Sequence, residues 1–257
     1  MTAPYYMIEF NAGCCMFEVR INDIPVMTLD LPGQASSSAP VNFAILESGS
    51  QVITARVVPH SAKTTLDPGA VLDFKIKLFD VHRDFDFKGD VFSYAFSPVE
   101  PERKLPAMSH SATFTANVPY QLSGWKNGTP LKDVENVDQK LRKAYNQLAT
   151  LISQGRYDDF KKFIANREAL MARTMYLNPQ QARRRIDRLV ADFEDGFEMR
   201  PLPGDVVLQI SGDGKVASFR KINGEHALSL IHEANREELM LDLAFYIPEG
   251  KTAFEIV

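Results

Sequence analysis

The chain has 257 residues, 45% of them hydrophobic and 24% charged, with a formal net charge of -4. That length and apolar content fill the cores of one large or two ordinary domains and exclude a disordered chain. The acidic balance gives no bulk attraction to phosphate backbones or anionic lipid, so no nucleic acid and no membrane is expected as a partner.

Charge is unevenly spread: residues 126–196 hold four more bases than acids, between flanks that each hold four more acids than bases. Met1 to Phe10 lacks Lys and Arg and so has no basic start of a signal peptide. No run approaches the roughly 18 apolar residues of a membrane helix. Cys14 and Cys15 are the two cysteines and are adjacent in a strand pattern. Their side chains there point to opposite faces and a mutual disulfide would be strained. A reducing, cytoplasmic setting is the expectation.

From Tyr5 to about Tyr120 short runs rich in Val, Ile, Phe and Thr alternate with Gly, Pro, Asn and Asp. They read as about eight strands, near 5–11, 14–21, 24–29, 41–47, 51–58, 71–80, 90–97 and 111–119. Phe17-Glu18-Val19-Arg20-Ile21 alternates apolar and charged residues, and Asn22-Asp23 then turns the chain into Ile24-Pro25-Val26-Met27, a hairpin signal. Leu31 to Pro40 and Pro98 to Met108 read as loops by composition. Strands of this number and length suggest a jelly-roll-like β-sandwich over residues 1–122, followed by a linker over 123–130.

Helical spacing begins after Thr129-Pro130, which cap and open a first helix running to Gly155. Its stripe is Leu131, Val134, Val137, Leu141, Ala144, Tyr145, Leu148, Leu151 and Ile152. A second helix is expected over 157–174, and a third from Asn178-Pro179 to about residue 195. Past Pro201 and Pro203, strands return at 205–211, 215–220, 225–231, 237–247 and 252–257. The turns Gly212-Asp213-Gly214 and Asn223-Gly224 make neighbouring strands antiparallel. Residues 131–257 thus form an α+β domain, three helices followed by an antiparallel sheet.

The phrase Ala144-Tyr145-Asn146-Gln147-Leu148 through Gly155-Arg156-Tyr157-Asp158-Asp159-Phe160, with Lys215-Val216-Ala217-Ser218-Phe219 and the last strands, resembles the NTF2-like α+β cone superfamily. The resemblance implies a curved sheet against the helices and a site inside the cone, often built on an Asp or His. His226 and Asp242 lie in strands that could face such an interior. That superfamily holds enzymes, ligand binders and inert partner domains, so it names no single activity.

No complete catalytic, metal or nucleotide constellation assembles from the residues. Asp84, Asp86 and Asp90 begin like a calcium loop, but Lys88 and Ala95 occupy positions where acids are wanted. The five histidines show no zinc spacing, and Gly212-Asp213-Gly214-Lys215 leads into a strand, so it is no phosphate loop. No cofactor is expected. Arg183, Arg184, Arg185 and Arg188 give the third helix a basic side able to grip an acidic protein surface or phosphate. Phe85 to Phe96 and Trp125 offer aromatic surface for sugar stacking or a protein contact.

The expectation from residues alone is therefore a non-enzymatic protein-binding module. A bacterial immunity or accessory protein that binds a toxin fits the charge and the lack of chemistry. Arg183, Arg184, Arg188 and Trp125 are its candidate contacts. One alternative is a small-ligand binder or enzyme using a C-terminal cone pocket with His226 and Asp242. A carbohydrate-binding sandwich is the other.

Overall fold

A computed structural model describes residues 2–61 and 63–257. The protein is broadly α+β: an antiparallel, β-rich N-terminal half is followed by four α-helices and short antiparallel strands. Contacts divide it into two compact units, residues 1–122 with 174–176, and residues 123–173 with 177–257.

The first unit is organised by one long strand, β1 (Pro4–Ile21), where the pattern predicts two strands, 5–11 and 14–21. Burial follows its even positions from Tyr6 to Ala12 and its odd positions from Cys15 to Ile21. The switch falls at a bulge between Gly13 and Cys15, where Cys14 has φ 53°. Side chains alternate with period two, so one extra residue is needed to return the apolar set to the same face after the bulge.

On one side β1 pairs with β2 (Ile24–Pro40). The segment from Leu31 to Pro40, expected to be a loop, is thus the far half of β2, with Met7 opposite Pro40 and Ala12 opposite Ala35. Its composition favours turns, but the backbone groups of β1 along that edge need partners, and main-chain pairing supplies them whatever the side chains.

On its other side β1 pairs first with β4 (Val71–Asp80) through residues 4–13, then with β3 (Gly49–Val58) through residues 16–21. The strands β5 (Asp86–Ala95) and β6 (Met108–Ala116) pair outside β4 and β3. Six strands therefore form one hydrogen-bonded network in the order β5-β4-β1-β3-β6, with β2 on β1, where about eight were expected.

Residues 41–47, also expected as a strand, hold a 3-10 turn at Asn42–Ala44. Asn42 is fully buried. Its side chain accepts from the Tyr6 N–H (2.6 Å) and donates to the Pro4 carbonyl (3.0 Å) and the Tyr120 hydroxyl (3.3 Å). An amide that supplies both acceptor and donor in the core replaces strand pairing there.

In the second unit α1 (Val137–Ser153) buries Leu141, Ala144, Tyr145, Leu148, Leu151 and Ile152. It starts later than expected because Thr129 N–H donates to Ile247 and Leu131 N–H to Gly214, and the chain then makes a 3-10 turn over Leu131–Asp133 and passes through the left-handed Asn136 before α1. The second expected helix is broken at Ile164 into α2 (Tyr157–Phe163) and α3 (Ala165–Thr174). The third is α4 (Pro179–Glu194), opened by an Asn178/Gln181 capping box with Pro179 in its first turn.

The strands form two small sheets rather than the single curved sheet implied by the cone resemblance. One is β11-β10-β7 and the other β13-β12-β9-β8, with β7 at Glu198–Met199, β8 at Val207–Ser211, β9 at Val216–Arg220, β10 at Ser229–His232, β11 at Glu237–Met240, β12 at Phe245–Tyr246 and β13 at Glu255–Ile256. The run 237–247 is broken between β11 and β12. The Tyr145 ring packs on Phe219 and Phe245, and its hydroxyl accepts from the Phe219 N–H (3.1 Å), tying α1 to β9 and β12. No described helix is long and apolar enough to cross a membrane.

Candidate functional site

The second unit contains a groove of about 660 Å³ walled by α2, α3, α4 and the segment Met240–Leu243. Its floor is apolar, with Phe160, Ile164, Leu177, Ile186, Leu189 and Leu243 among its residues. Phe160 and Ile164 stand four apart and Ile186 and Leu189 three apart, which puts each pair on one side of its helical run, while Leu177 and Leu243 reach the floor from connecting segments.

Polar groups reach the groove in two ways. On α3, Glu168 is 7% exposed and accepts hydrogen bonds from Arg167 Nη1 and from Arg185 Nε (2.8 Å). Arg167 Nη2 also donates to the Asp242 carbonyl (3.2 Å). A carboxylate taken out of water between two guanidinium groups is compensated, and it ties α3 to α4 and to the segment before β12. Arg167 and Arg185 are thereby occupied.

Arg184 and Arg188 also line the groove and are exposed. Among the described residues neither side chain makes an ion pair or hydrogen bond. They lie four residues apart on α4, so their side chains project from the same wall, about 6 Å apart along the helix axis. Asp192, one turn further on, is the acid that α4 contributes to the lining. Arg183 is exposed but does not line the groove.

His226 and Asp242 do meet. His226 Nδ1 lies 3.0 Å from Asp242 Oδ1, and Arg220 Nη2 lies 3.2 Å from the same oxygen. Burial pushes the Asp242 carboxyl up, but the His226 hydrogen bond and the charges of Arg220, His226 and Arg167 outweigh it and hold the pKa at about 2. Half of the Asp242 side-chain surface is open to solvent, so screening keeps the stabilisation from this shift small. Arg220 Nη1 lies against the His226 ring, nearest Nδ1. A general base needs a ring nitrogen aimed at a substrate proton, and Nδ1 is here engaged by Asp242 and Arg220. The cluster joins the end of β9 to the groove segment through a bridge between Arg220 and His226.

The remaining candidates are elsewhere. Trp125, expected as an exposed contact, is 4% exposed and packs against Gly212, whose φ of +58° brings the backbone under the indole. A buried ring has no face to offer a sugar or a partner. Asp84 ends a 3-10 turn in left-handed conformation, Asp86 pairs with Lys88 (2.5 Å) and Asp90 with Lys75 (3.1 Å). No group of three metal-ligating side chains converges among the described residues. Asp86 and Asp90 are neutralised by lysines, and Asp84 stands outside the strand in the preceding turn, so the three carboxylates are not gathered onto one cation. Phe85 and Phe87 are each 51% exposed, resting on Tyr5 and Phe79.

The residues that sequence reasoning missed are Glu168, Arg167 and the groove floor. The signal was present: Phe160, Ile164 and Glu168 are spaced by four, so an acid stands on an apolar helical stripe, a position that needs compensating charge. The sequence matches no protein-family model, no curated protein and no solved structure.

Proposed function

We propose that this chain is a non-enzymatic protein-binding module and that the groove of its second unit receives the partner. The reading rests on Arg184 and Arg188, two guanidinium groups with no partner among the described residues, beside an apolar floor. Arginine at the edge of an apolar surface is a common anchor of protein interfaces, since it stacks and forks onto carboxylates together. In this proposal the first unit is a scaffold whose strands pack as a jelly-roll-like sandwich, and the protein acts in the cytoplasm as an immunity or accessory protein that holds a toxin. The acidic overall charge and the His226 ring held against Arg220 support binding over chemistry.

The test is affinity capture from the native host with the intact protein and with R184E/R188E, followed by identification of what is retained. One defined protein held by the intact chain and released by the variant, at unchanged melting temperature, is the expected result. Capture that ignores the variant, or no specific capture, refutes the reading.

The size of the groove favours one alternative, because about 300–1,000 Å³ is the usual range of small-molecule pockets. A small anionic ligand would raise the melting temperature of the intact protein in a screen of carboxylates and phosphates, and leave R184E/R188E unmoved.

A further inference from the structure

Resting on the protein-binding reading, we infer that the occupant of the groove is an acidic amphipathic helix of the partner: its apolar face lies on the floor and two carboxylates, one turn apart, pair with Arg184 and Arg188.

Three observations select this occupant. The first is charge. Four arginines and three carboxylates line the groove, but Glu168 takes Arg167 and Arg185, while Asp242 is held by Arg220 and His226. What remains facing outward is Arg184 and Arg188 against Asp192, a net positive rim. Its complement is a pair of acids, each carboxylate able to fork onto one guanidinium.

The second is the backbone. Met240, at the end of β11, is the lining residue that belongs to a strand, and the Leu241 N–H is already used by the Leu228 carbonyl. β11 is an edge strand of its sheet, but Met240 is its one residue in the lining, so the groove offers mainly side chains. An extended peptide on such a floor would leave its own N–H and C=O groups without partners, whereas a helix satisfies them internally. The third is spacing. Arg184 and Arg188 stand one helical turn apart, about 6 Å along α4, which matches acids at i and i+4 on a helix lying alongside.

The alternation of floor and rim also fixes orientation. Ile186 and Leu189 face the groove from the same helix as the two arginines, so the acids of the occupant must flank its apolar stripe on the side that meets α4.

The experiment uses the full chain and synthetic helical peptides with leucines at i, i+3, i+4 and i+7 and two flanking glutamates four residues apart. Binding is read by fluorescence anisotropy beside versions carrying glutamine or lysine in place of the glutamates. The glutamate peptide should bind, the glutamine peptide should be weaker by about tenfold for two rim ion pairs, and the lysine peptide weaker still. R184E/R188E should reverse the order and prefer lysine, while R184Q/R188Q should bind glutamate and glutamine peptides alike. Equal binding of glutamate and glutamine peptides to the intact protein, no binding of any, or an unchanged order in the reversed variant overturns the inference. A partner captured as described above, alongside any of those results, removes the acidic helix and leaves the protein-binding reading standing.

Discussion

Replacing Asn42 by Leu tests the view that one buried amide closes the first unit. Leucine matches the volume and removes all polarity. The Tyr6 N–H loses its acceptor, the Pro4 carbonyl one of two donors, and the Tyr120 hydroxyl its donor. The orphaned N–H sits beside a fully buried position, which costs about 1–3 kcal/mol, and each of the other two bonds contributes about 1 kcal/mol net. The sum is about 3–5 kcal/mol, equivalent to a fall of roughly 10–20 °C in the melting transition of a unit this size. Calorimetry of Asn42→Leu beside Tyr120→Phe provides the measurement. Tyr120→Phe removes only the longest of the three bonds and should cost about 0.5–1.5 kcal/mol. A loss below about 1 kcal/mol in Asn42→Leu, or equal losses in the two variants, would refute the assignment of the turn to this amide.

Three further outcomes follow from the same structure. Gly212→Ala should destabilise the second unit by about 2–4 kcal/mol, because φ is +58° and the added Cβ would stand 2.7 Å from Val216 Cγ2 and 2.8 Å from Trp125 Cδ1. Trp125 is the sole tryptophan, so its emission should shift to the red at lower urea, and an unmoved midpoint would contradict the packing. The Asp80 carboxyl is held below its ordinary value by hydrogen bonds from the Ala3 and His82 N–H groups, the former the larger cause, with burial opposing. An acid depressed in the folded state adds stability above its unfolded pKa that is lost as pH falls through the folded one, so Asp80→Asn should flatten the decline in melting temperature as pH falls below the ordinary carboxylate range. Burial pushes the Cys15 thiol up to about 11, so alkylation of the native protein should label Cys14, which is partly exposed, well before Cys15; equal rates would mean the bulge opens freely.

Local chemistry wrote much of this protein into its sequence. The two-residue alternation at Phe17 to Ile21 and Leu72 to Leu78, the capped start of α4 and the glycine turn at 212–214 each rest on contacts within a few residues, so they can be read without the rest of the chain. Tertiary structure decided what depends on distant partners. The strand at Leu31 to Pro40 forms because β1 lies beside it, and residues 41–47 leave the sheet because Asn42 finds Tyr6, Pro4 and Tyr120. The site divides in the same way. The basic side of α4 was legible from four arginines in one helix. Which of them is neutralised was decided by Glu168 on another helix, which takes Arg185, because electrostatic pairing depends on distance in space rather than on order along the chain.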